Sequence, residues 1–311
     1  MLPKTHLREL LESGHLVVTA EVGPPQGSDA ALVAERVEMI RNHCDAINVT
    51  DNPLGVPRMS SLACARLIID AGVEPIMHIA TRSRNEILLQ SELFGASALG
   101  IRNLLFITGD EAIAKREPQS TVVPEIDSVE GLKLASTLMK GKNSDGEDIE
   151  GPPSFFLGST FNPHAESMDE EIRRIEQKRN AGAQFFQTQA VYEIERFGHF
   201  MRKLENLDVR VLAGIVPLQG SEMAEYISAH VPGIQISEAV IARLRDAEEG
   251  LADEELLNAG RAEGLLIAAE TVKEIRSLKG VDGIHIMGIG WDESILQTVE
   301  SAGLYPRPTR G

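Results

Sequence analysis

Polar side chains follow seven short apolar runs of this 311-residue sequence, and their types suit acid–base and hydrogen-bonding chemistry. A carboxyl group, an imidazole or a primary amide at such a position can transfer a proton or bind the edge of a heterocyclic ligand. These candidates for a functional site are Glu21, Thr50-Asp51-Asn52, His78, Thr108-Gly109-Asp110, the segment 159–164, Gln187-Thr188-Gln189 and the turn 217–220.

Each candidate also has a purely structural explanation. Glu21 precedes a Gly-Pro-Pro turn whose backbone amides it can bind. His78 is flanked by apolar residues, and a lone histidine in that setting is usually a hydrogen-bonded core residue. Asp110 follows a glycine and can cap the next turn. Seven polar run ends that meet at one place nevertheless favour a site over seven separate structural roles.

The apolar runs alternate with helical stretches in the manner of a parallel α/β protein. The runs lack in–out alternation, as expected for strands buried on both faces. The first four begin 29 residues apart, about the length of one βα unit. The predicted strands are 16–22, 45–50, 74–79, 103–108, 154–159, 184–188, 210–215 and 283–287. Eight such units predict a (β/α)8 barrel, in which the carboxyl ends of the strands carry the site.

Helices are predicted between these strands, and their spacing favours one barrel domain over residues 1–311. Two longer interruptions stand out: a polar, glycine-rich surface loop at 140–151, and a segment at 237–280 that we interpret as a helical insertion before the last strand. The amphipathic pattern of that segment fits packing on the barrel or a homo-oligomer interface. The predicted helices are 30–43, 60–71, 83–94, 128–139, 169–181, 194–204, 220–230, 238–248 and 253–278.

Composition excludes several classes of function. The net charge of -17 disfavours a nucleic-acid partner, because the protein would repel phosphate backbones. Two cysteines cannot supply a zinc or iron–sulfur centre, the histidines form no HxH or HExxH pair, and we expect no bound metal. No run approaches the roughly 18 apolar residues of a membrane helix, and residues 1–14 do not read as a signal peptide. We therefore expect a cytoplasmic protein with no membrane partner.

Seven segments resemble the methylenetetrahydrofolate reductase family and occur in the order found in that family. They are TAEVGPP, INVTDNP, PIMHIATR, LLFITGD, FNPHAES, NAGAQFFQTQ and AGIVPLQG. The resemblance covers about residues 10–235. The motif sequences EVGPP, ITGD and FNPHA are most similar to those of the enzymes from acetogenic and related anaerobic bacteria. It implies a barrel with non-covalently bound FAD that reduces 5,10-methylenetetrahydrofolate to 5-methyltetrahydrofolate.

The resemblance also implies roles for individual residues. Glu21 would be the general acid that protonates the folate nitrogen as the methylene bridge opens, which requires a raised pKa. Asp110 would lie beside the flavin and the pterin and tune their reactivity, and Gln189 would orient the pterin. Thr50 would hydrogen-bond the flavin near its hydride-carrying nitrogen. The further residues implied at the FAD site are His78, Thr108, Gly109, Asp110, Phe161, His164 and Lys178.

Two departures from the family pattern bear on the electron donor. Thr108 stands where the better-known aerobic members have arginine, so one FAD contact is lost or replaced. Ser221 stands where those members place an aromatic residue against NADH. Electrons can therefore come from NAD(P)H or from a partner subunit with zinc and iron–sulfur centres. Two alternatives stay open: a folate- or pterin-binding barrel without a redox role, and flavin-free hydride transfer from NADH to the folate.

Overall fold

The structure is a computed structural model that describes residues 4–109, 126–231 and 234–308. Its eight strands form a closed parallel barrel in sequence order, which confirms the predicted fold class. Each strand lies within two residues of its predicted bounds. The strands are β1 (Val17–Val22), β2 (Ala46–Val49), β3 (Pro75–Ala80), β4 (Asn103–Ile107), β5 (Phe156–Phe161), β6 (Phe185–Ala190), β7 (Arg210–Ile215) and β8 (Val281–Ile286).

Helices cover the outside of the barrel, and most begin at a capping side chain. The Oγ atoms of Ser60 and Ser237, for example, accept the backbone N–H of the third residue of their helices. The α-helices are α1 (His6–Glu12), α2 (Ala30–Ile40), α3 (Ser61–Asp70), α4 (Glu86–Ala98), α5 (Ser128–Met139), α6 (Met168–Asn180), α7 (Ile194–Leu204), α8 (Ser221–His230), α9 (Glu238–Glu248), α10 (Asp253–Ile275) and α11 (Glu293–Ser301). Short 3₁₀ helices occupy Pro53–Gly55 and Thr81–Ser83. The pattern of apolar residues did not predict α1 or α11.

Three helices separate β7 from β8, whereas each of the first three crossovers contains one α-helix. The long helix α10 packs against β7, α7 and α11, in the position of an outer barrel helix. The additional helices α8 and α9 share a separate apolar cluster with the turn after β7. The two helices predicted at 238–248 and 253–278, before the last strand, are present as α9 and α10. In the described part of the chain, no helix is long and apolar enough to cross a membrane.

An apolar layer closes the amino-terminal end of the barrel. Helix α1 carries leucines at positions 7, 10 and 11, a spacing that places them on one helical face. These leucines pack against inward-facing residues near the strand starts, which are Val17, Ala46, Ile76, Leu105, Phe156, Phe185 and Leu212. The rings of Phe156 and Phe185 stack with centroids 5.0 Å apart. In the described part of the chain, the barrel interior is therefore closed at this end and opens at the carboxyl ends of the strands.

Gly158 makes room for this aromatic layer. A Cβ atom at Gly158 would lie 2.3 Å from the Phe185 ring, far inside van der Waals contact. Because Gly158 has no side chain, the Phe185 ring can fill the barrel axis at this level. The polar residues nearer the carboxyl ends of the strands lie on top of this apolar floor.

Candidate active site

A cavity of about 420 Å³ opens at the carboxyl ends of the strands, on the polar side of the apolar layer. Its volume lies in the range of small-molecule sites. Strands β3 and β4 reach it at alternate positions, as the pleat of a sheet requires, whereas β6 lines it with the consecutive residues 187–189. The cavity brings together seven of the residues predicted from the sequence, which are Glu21, Thr50, His78, Thr108, Gly109, Lys178 and Gln189.

Glu21 supplies the carboxyl group of the cavity. Its side chain is 24% exposed and makes no hydrogen bond with the described residues, so the alternative role in capping the Gly-Pro-Pro turn is not seen. Burial raises the pKa of Glu21 to about 7, and the negative charge of Asp292 acts in the same direction. A carboxyl group with this pKa keeps a large share of its proton at neutral pH, which a general acid needs.

A hydrogen-bonded layer of five side chains forms the floor of the cavity, and three of them, His78, Gln187 and His285, line it directly. Asn48 Nδ2 donates to His78 Nε2 at 2.7 Å and to Gln187 Oε1 at 2.6 Å. Gln187 Nε2 donates to Asn48 Oδ1 at 3.1 Å and to Thr19 Oγ1 at 3.2 Å. Thr19 Oγ1 lies 3.0 Å from Nδ1 of His285. These contacts link β1, β2, β3, β6 and β8 across the barrel.

Both histidines of this layer are neutral at physiological pH. Burial lowers the pKa of His78 to about 4 and that of His285 to about 3, and the neighbouring His78 contributes to the lowering at His285. Because Nε2 of His78 accepts a hydrogen bond, the proton of its neutral ring resides on Nδ1. His78 thus offers an N–H donor to a ligand.

Sequence reasoning named His78 and Gln187 as candidates but missed the other three members of this layer, which are Thr19, Asn48 and His285. Each lies two residues before a rim position, so the pleat turns it into the barrel interior one layer deeper. A polar residue two positions before a polar strand end is a signal that could have found Thr19 and Asn48, whereas His285 precedes the apolar Met287 and has no such signal.

The end of β2 is fixed by a buried ion pair. Asp51 Oδ2 accepts the backbone N–H of Ala80 at 2.8 Å and a guanidinium N–H of Arg84 at 2.6 Å. Arg84 also donates to Glu92 of α4 at 3.0 Å. These bonds lock the ends of β2 and β3 together and hold Thr50 at the cavity wall. Thr50 Oγ1 is buried and has no hydrogen-bond partner among the described residues, so it is available to a ligand.

The opposite wall combines a backbone turn with a buried cation. Thr108 Oγ1 donates to Ser128 Oγ at 3.2 Å, which ties the end of β4 to α5. Gly109 has a φ of +96°, a conformation that favours glycine. Lys178 of α6 is buried and donates to the Thr160 carbonyl at 2.5 Å. Burial lowers the pKa of Lys178 to about 8.

Gln189 lies at the exposed rim of the cavity, where its amide can reach a ligand. Phe161 and His164 do not line the cavity. The Phe161 ring packs in the outer core, stacked on Phe200 at 5.1 Å. His164 is buried with its Nδ1 3.8 Å from Glu193 Oε2, and neither ring nitrogen has a hydrogen-bond partner among the described residues. Asp110 lies outside the described residues.

No group of three or more His, Cys, Asp or Glu side chains suited to hold a metal ion occurs in residues 4–109, 126–231 and 234–308. Both cysteines, Cys44 and Cys64, are buried and form no disulfide. The chemistry that the described cavity offers is proton transfer at Glu21 beside neutral hydrogen-bonding groups, with one buried cation on the wall.

Comparison with known proteins assigns the chain to a family. A family model described as methylenetetrahydrofolate reductase matches residues 6–303. Methylenetetrahydrofolate reductase 1 of Schizosaccharomyces pombe is 22% identical over 76% of this chain and 36% of the relative. A probable methylenetetrahydrofolate reductase (NADPH) of Caenorhabditis elegans is 23% identical over 79% and 35%, and a probable methylenetetrahydrofolate reductase (NADH) of Oryza sativa subsp. japonica is 22% identical over 96% and 50%. The chain thus spans between about a third and a half of the length of these relatives.

Solved structures share the barrel fold at low sequence identity. A Clostridium thermocellum protein, described as binding two copies of 5-methyl-5,6,7,8-tetrahydrofolic acid, matches with a TM-score of 0.64 and 15% identity over 96% of this chain and 97% of that chain. A 2,3-dimethylmalate lyase matches with a TM-score of 0.51 and 15% identity over 98% and 86%. Such identities establish the fold alone, whereas the family model covers nearly the whole sequence. The chain therefore belongs to the methylenetetrahydrofolate reductase family.

Proposed function

We propose that this chain reduces 5,10-methylenetetrahydrofolate to 5-methyltetrahydrofolate with FAD as the hydride carrier. The observation that carries the proposal is the position of Glu21, a carboxyl group with a pKa of about 7 at the cavity of a chain from this family. The folate-binding protein of Clostridium thermocellum, which has the same fold, is described with the product of this reaction bound.

Glu21 is the proposed general acid. Opening the methylene bridge of the folate leaves electron density on the ring nitrogen, and a neutral carboxyl group beside it can supply the proton. The apolar layer beneath the site and the neutral histidines keep Glu21 protonated, because no cation among the described residues lies within 4 Å of its carboxyl group at neutral pH. Gln189 at the rim is the proposed partner of the pterin edge, since a primary amide donates and accepts side by side. Asp110 remains a proposed catalytic and binding residue, placed by the resemblance alone.

The residues of the cavity fit a flavin. The unpartnered Thr50 hydroxyl, the proposed donor on Nδ1 of His78 and the open turn at Gly109 suit the polar edge of a planar heterocycle. Lys178 places a cationic nitrogen on the wall, which suits a phosphate. When bound, FAD supplies hydride transfer between an electron donor and the folate. Thr108 would meet the cofactor through its backbone, because its hydroxyl bonds to Ser128. The buried positions of Phe161 and His164 limit their proposed part to supporting the wall.

We further propose that a partner subunit with zinc and iron–sulfur centres delivers the electrons. The N–H of Ser221 bonds to Glu248 Oε1 at 2.9 Å and its hydroxyl bonds to the other carboxylate oxygen. The first turn of α8, Ser221-Glu222-Met223-Ala224, offers no aromatic surface for a nicotinamide. NAD(P)H as a direct donor is the competing possibility. Two cysteines that form no disulfide suit a reducing compartment, and we propose the cytoplasm.

A visible absorption spectrum of the purified chain tests this proposal, recorded before and after incubation with FAD and removal of unbound cofactor. We expect flavin bands that bleach with dithionite and methylenetetrahydrofolate turnover when an artificial electron donor is supplied. Bleaching by NADH alone would instead make the chain self-sufficient. A colourless protein that oxidises NADH with the folate would point to flavin-free hydride transfer, and folate binding without turnover would point to a carrier.

The variant Glu21→Gln tests the acid. We expect it to retain FAD and lose at least about 100-fold in folate reduction, the usual contribution of a positioned acid. Glu35→Gln, an exposed change on α2, is the matched control and should behave as wild type. Normal folate reduction by Glu21→Gln would disprove the assignment.

A further inference from the structure

In the hydrogen-bonded layer at the floor of the cavity, counting the available N–H and O–H groups indicates which member donates and which accepts in each hydrogen bond. A primary amide has two N–H bonds, and both of those on Asn48 are used, on His78 Nε2 and on Gln187 Oε1. Gln187 likewise uses both, on Asn48 Oδ1 and on Thr19 Oγ1. Thr19 Oγ1 accepts from Gln187, and we assign its own hydroxyl proton to Nδ1 of His285, 3.0 Å away, because the described residues offer this hydroxyl no other acceptor.

The direction of the layer determines which nitrogen of His285 carries the proton. A ring nitrogen that accepts a hydrogen bond has none, so the neutral imidazole of His285 is protonated at Nε2. That Nε2 lies 3.9 Å from Oε2 of Glu21. His285 is the only basic side chain with a nitrogen within 4 Å of the Glu21 carboxyl, in the part of the chain that the structure describes.

We propose that His285 is a positioning residue for Glu21, whose Nε2–H closes onto the carboxylate formed when Glu21 gives its proton to the substrate. This inference deepens the proposed function and rests on it. A distance of 3.9 Å is too long for a hydrogen bond, so the protonated acid is not held by His285. A side-chain rotation of Glu21 brings the two groups into contact once the negative charge appears. The interaction is therefore stronger after proton transfer than before it, which is the condition for assisting the reaction.

A neutral donor suits this position better than a cation. A charged histidine would favour ionised Glu21 from the start and deprive the acid of its proton. Burial lowers the pKa of His285 to about 3, so the ring donates a hydrogen bond without carrying charge. Thr19 and, behind it, the reciprocal Asn48–Gln187 pair fix the tautomer.

Other charged and titratable groups around Glu21 belong to several elements. Asp292 precedes α11 and raises the pKa of Glu21, while its own charge is opposed by Arg36 of α2 at 3.3 Å. His78 and Lys178 line the same cavity from β3 and α6. Asp51 of the loop after β2 is neutralised by Arg84. A change at His285 leaves all of these groups in place, so its effect on Glu21 can be read separately.

The test compares His285→Leu, which removes the donor, with His285→Gln, whose amide restores an N–H at a similar distance. The pKa of Glu21 is measured by ¹³C NMR of protein labelled at the glutamate carboxyl carbon, with Glu21→Gln used to assign the signal. We expect His285→Leu to raise the pKa of Glu21 by about one to two units, the effect of losing one charge-assisted hydrogen bond. We expect His285→Gln to stay within about half a unit of wild type. His15→Gln, an exposed change at the other end of β1, should shift nothing.

Activity provides a second readout. The pH limb assigned to Glu21, along which kcat falls as pH rises, should move upward in His285→Leu, with kcat below that limb reduced about tenfold and recovered in His285→Gln. Thr19→Val, which removes the group that directs the tautomer, should show part of the same shift and guards against misfolding of the leucine variant.

Two results would overturn the inference. An unchanged Glu21 titration in folded His285→Leu would show that the ring does not contact the carboxylate. A ¹⁵N spectrum of wild type with the proton of His285 on Nδ1 would show that the layer runs in the opposite direction. Both readouts require no turnover. An inactive wild type with the expected titration shift would therefore refute the proposed function and leave the His285–Glu21 contact standing.

Discussion

Removing the proposed catalytic acid should stabilise the protein at neutral and alkaline pH. The pKa of Glu21 is raised from 4.5 to about 7, chiefly by burial. Between these values the unfolded chain has released the proton and the folded chain still holds it. Folding in this range therefore requires Glu21 to take up a proton from solution. The free energy of unfolding consequently falls as the pH rises from about 4.5 to 7. Glutamine mimics the protonated carboxyl and has no proton to lose.

The size of the effect follows from the shift. A difference of about 2.5 pKa units corresponds to about 3 kcal/mol above pH 7. Because 24% of the Glu21 side chain is exposed, solvent screening reduces this figure, and we expect about 2 kcal/mol. At pH 4 both chain states hold the proton, so Glu21→Gln should leave stability nearly unchanged there.

Urea unfolding of wild type and Glu21→Gln at pH 4.5 and pH 8, followed by circular dichroism, measures this difference. The variant should gain about 2 kcal/mol at pH 8 and much less at pH 4.5. Glu35→Gln, on the outer face of α2, should show no such dependence on pH. An equal effect of Glu21→Gln at both pH values would refute the reasoning, because it would mean that burial does not perturb this carboxyl.

Three further changes test the structure around the site. Thr50→Val removes a buried, unpartnered hydroxyl, so it should leave the apo-protein as stable or up to about 1 kcal/mol more stable while weakening FAD retention severalfold, measured by fluorescence titration; unchanged retention would exclude Thr50 as a flavin contact. Arg84→Met leaves Asp51 buried without its cation and should cost about 3–5 kcal/mol in urea unfolding, against less than about 1 kcal/mol for Arg66→Met at the exposed pair with Asp70; similar costs would contradict the buried ion pair. Gly158→Ala should cost about 1–3 kcal/mol because its Cβ meets the Phe185 ring, and Phe185→Leu in the same chain should recover part of it; additive losses would mean that the two sites are not in contact.

The surroundings of Glu21 explain how its pKa is kept high, although this lowers the free energy of unfolding of the protein. A carboxyl group with a raised pKa needs burial without a cation, and that combination opposes folding above the ordinary pKa of glutamate. In this chain the apolar floor of α1 and the phenylalanine pair provide the dry side, and the neutral histidines provide contacts without positive charge.

The sequence by itself determined the barrel. Short apolar runs at regular intervals place β1 to β8 within two residues of their observed bounds, because strands buried on both faces need apolar residues at consecutive positions. The same regularity placed Glu21, Thr50, His78 and Gln189 at one end of the barrel, since the carboxyl ends of parallel strands meet there. The helix α1 escaped prediction because its seven residues are too short for a periodic pattern, and only its packing under the barrel gives it a role.

Only the tertiary structure decided how deep each polar residue lies and what faces it. Asn48, Gln187 and His285 lie on strands far apart in the sequence, and no local pattern indicates that they share hydrogen bonds. Phe161 and His164 lie at and just after the end of β5, where site residues are expected. The pleat nevertheless turns the Phe161 ring to the outer core, and His164 is buried away from the cavity. Strand order determines which strands are hydrogen-bonded neighbours in the barrel wall. The closure of the barrel fixes which side chains meet across it, and with them the dielectric surroundings that set the pKa of Glu21.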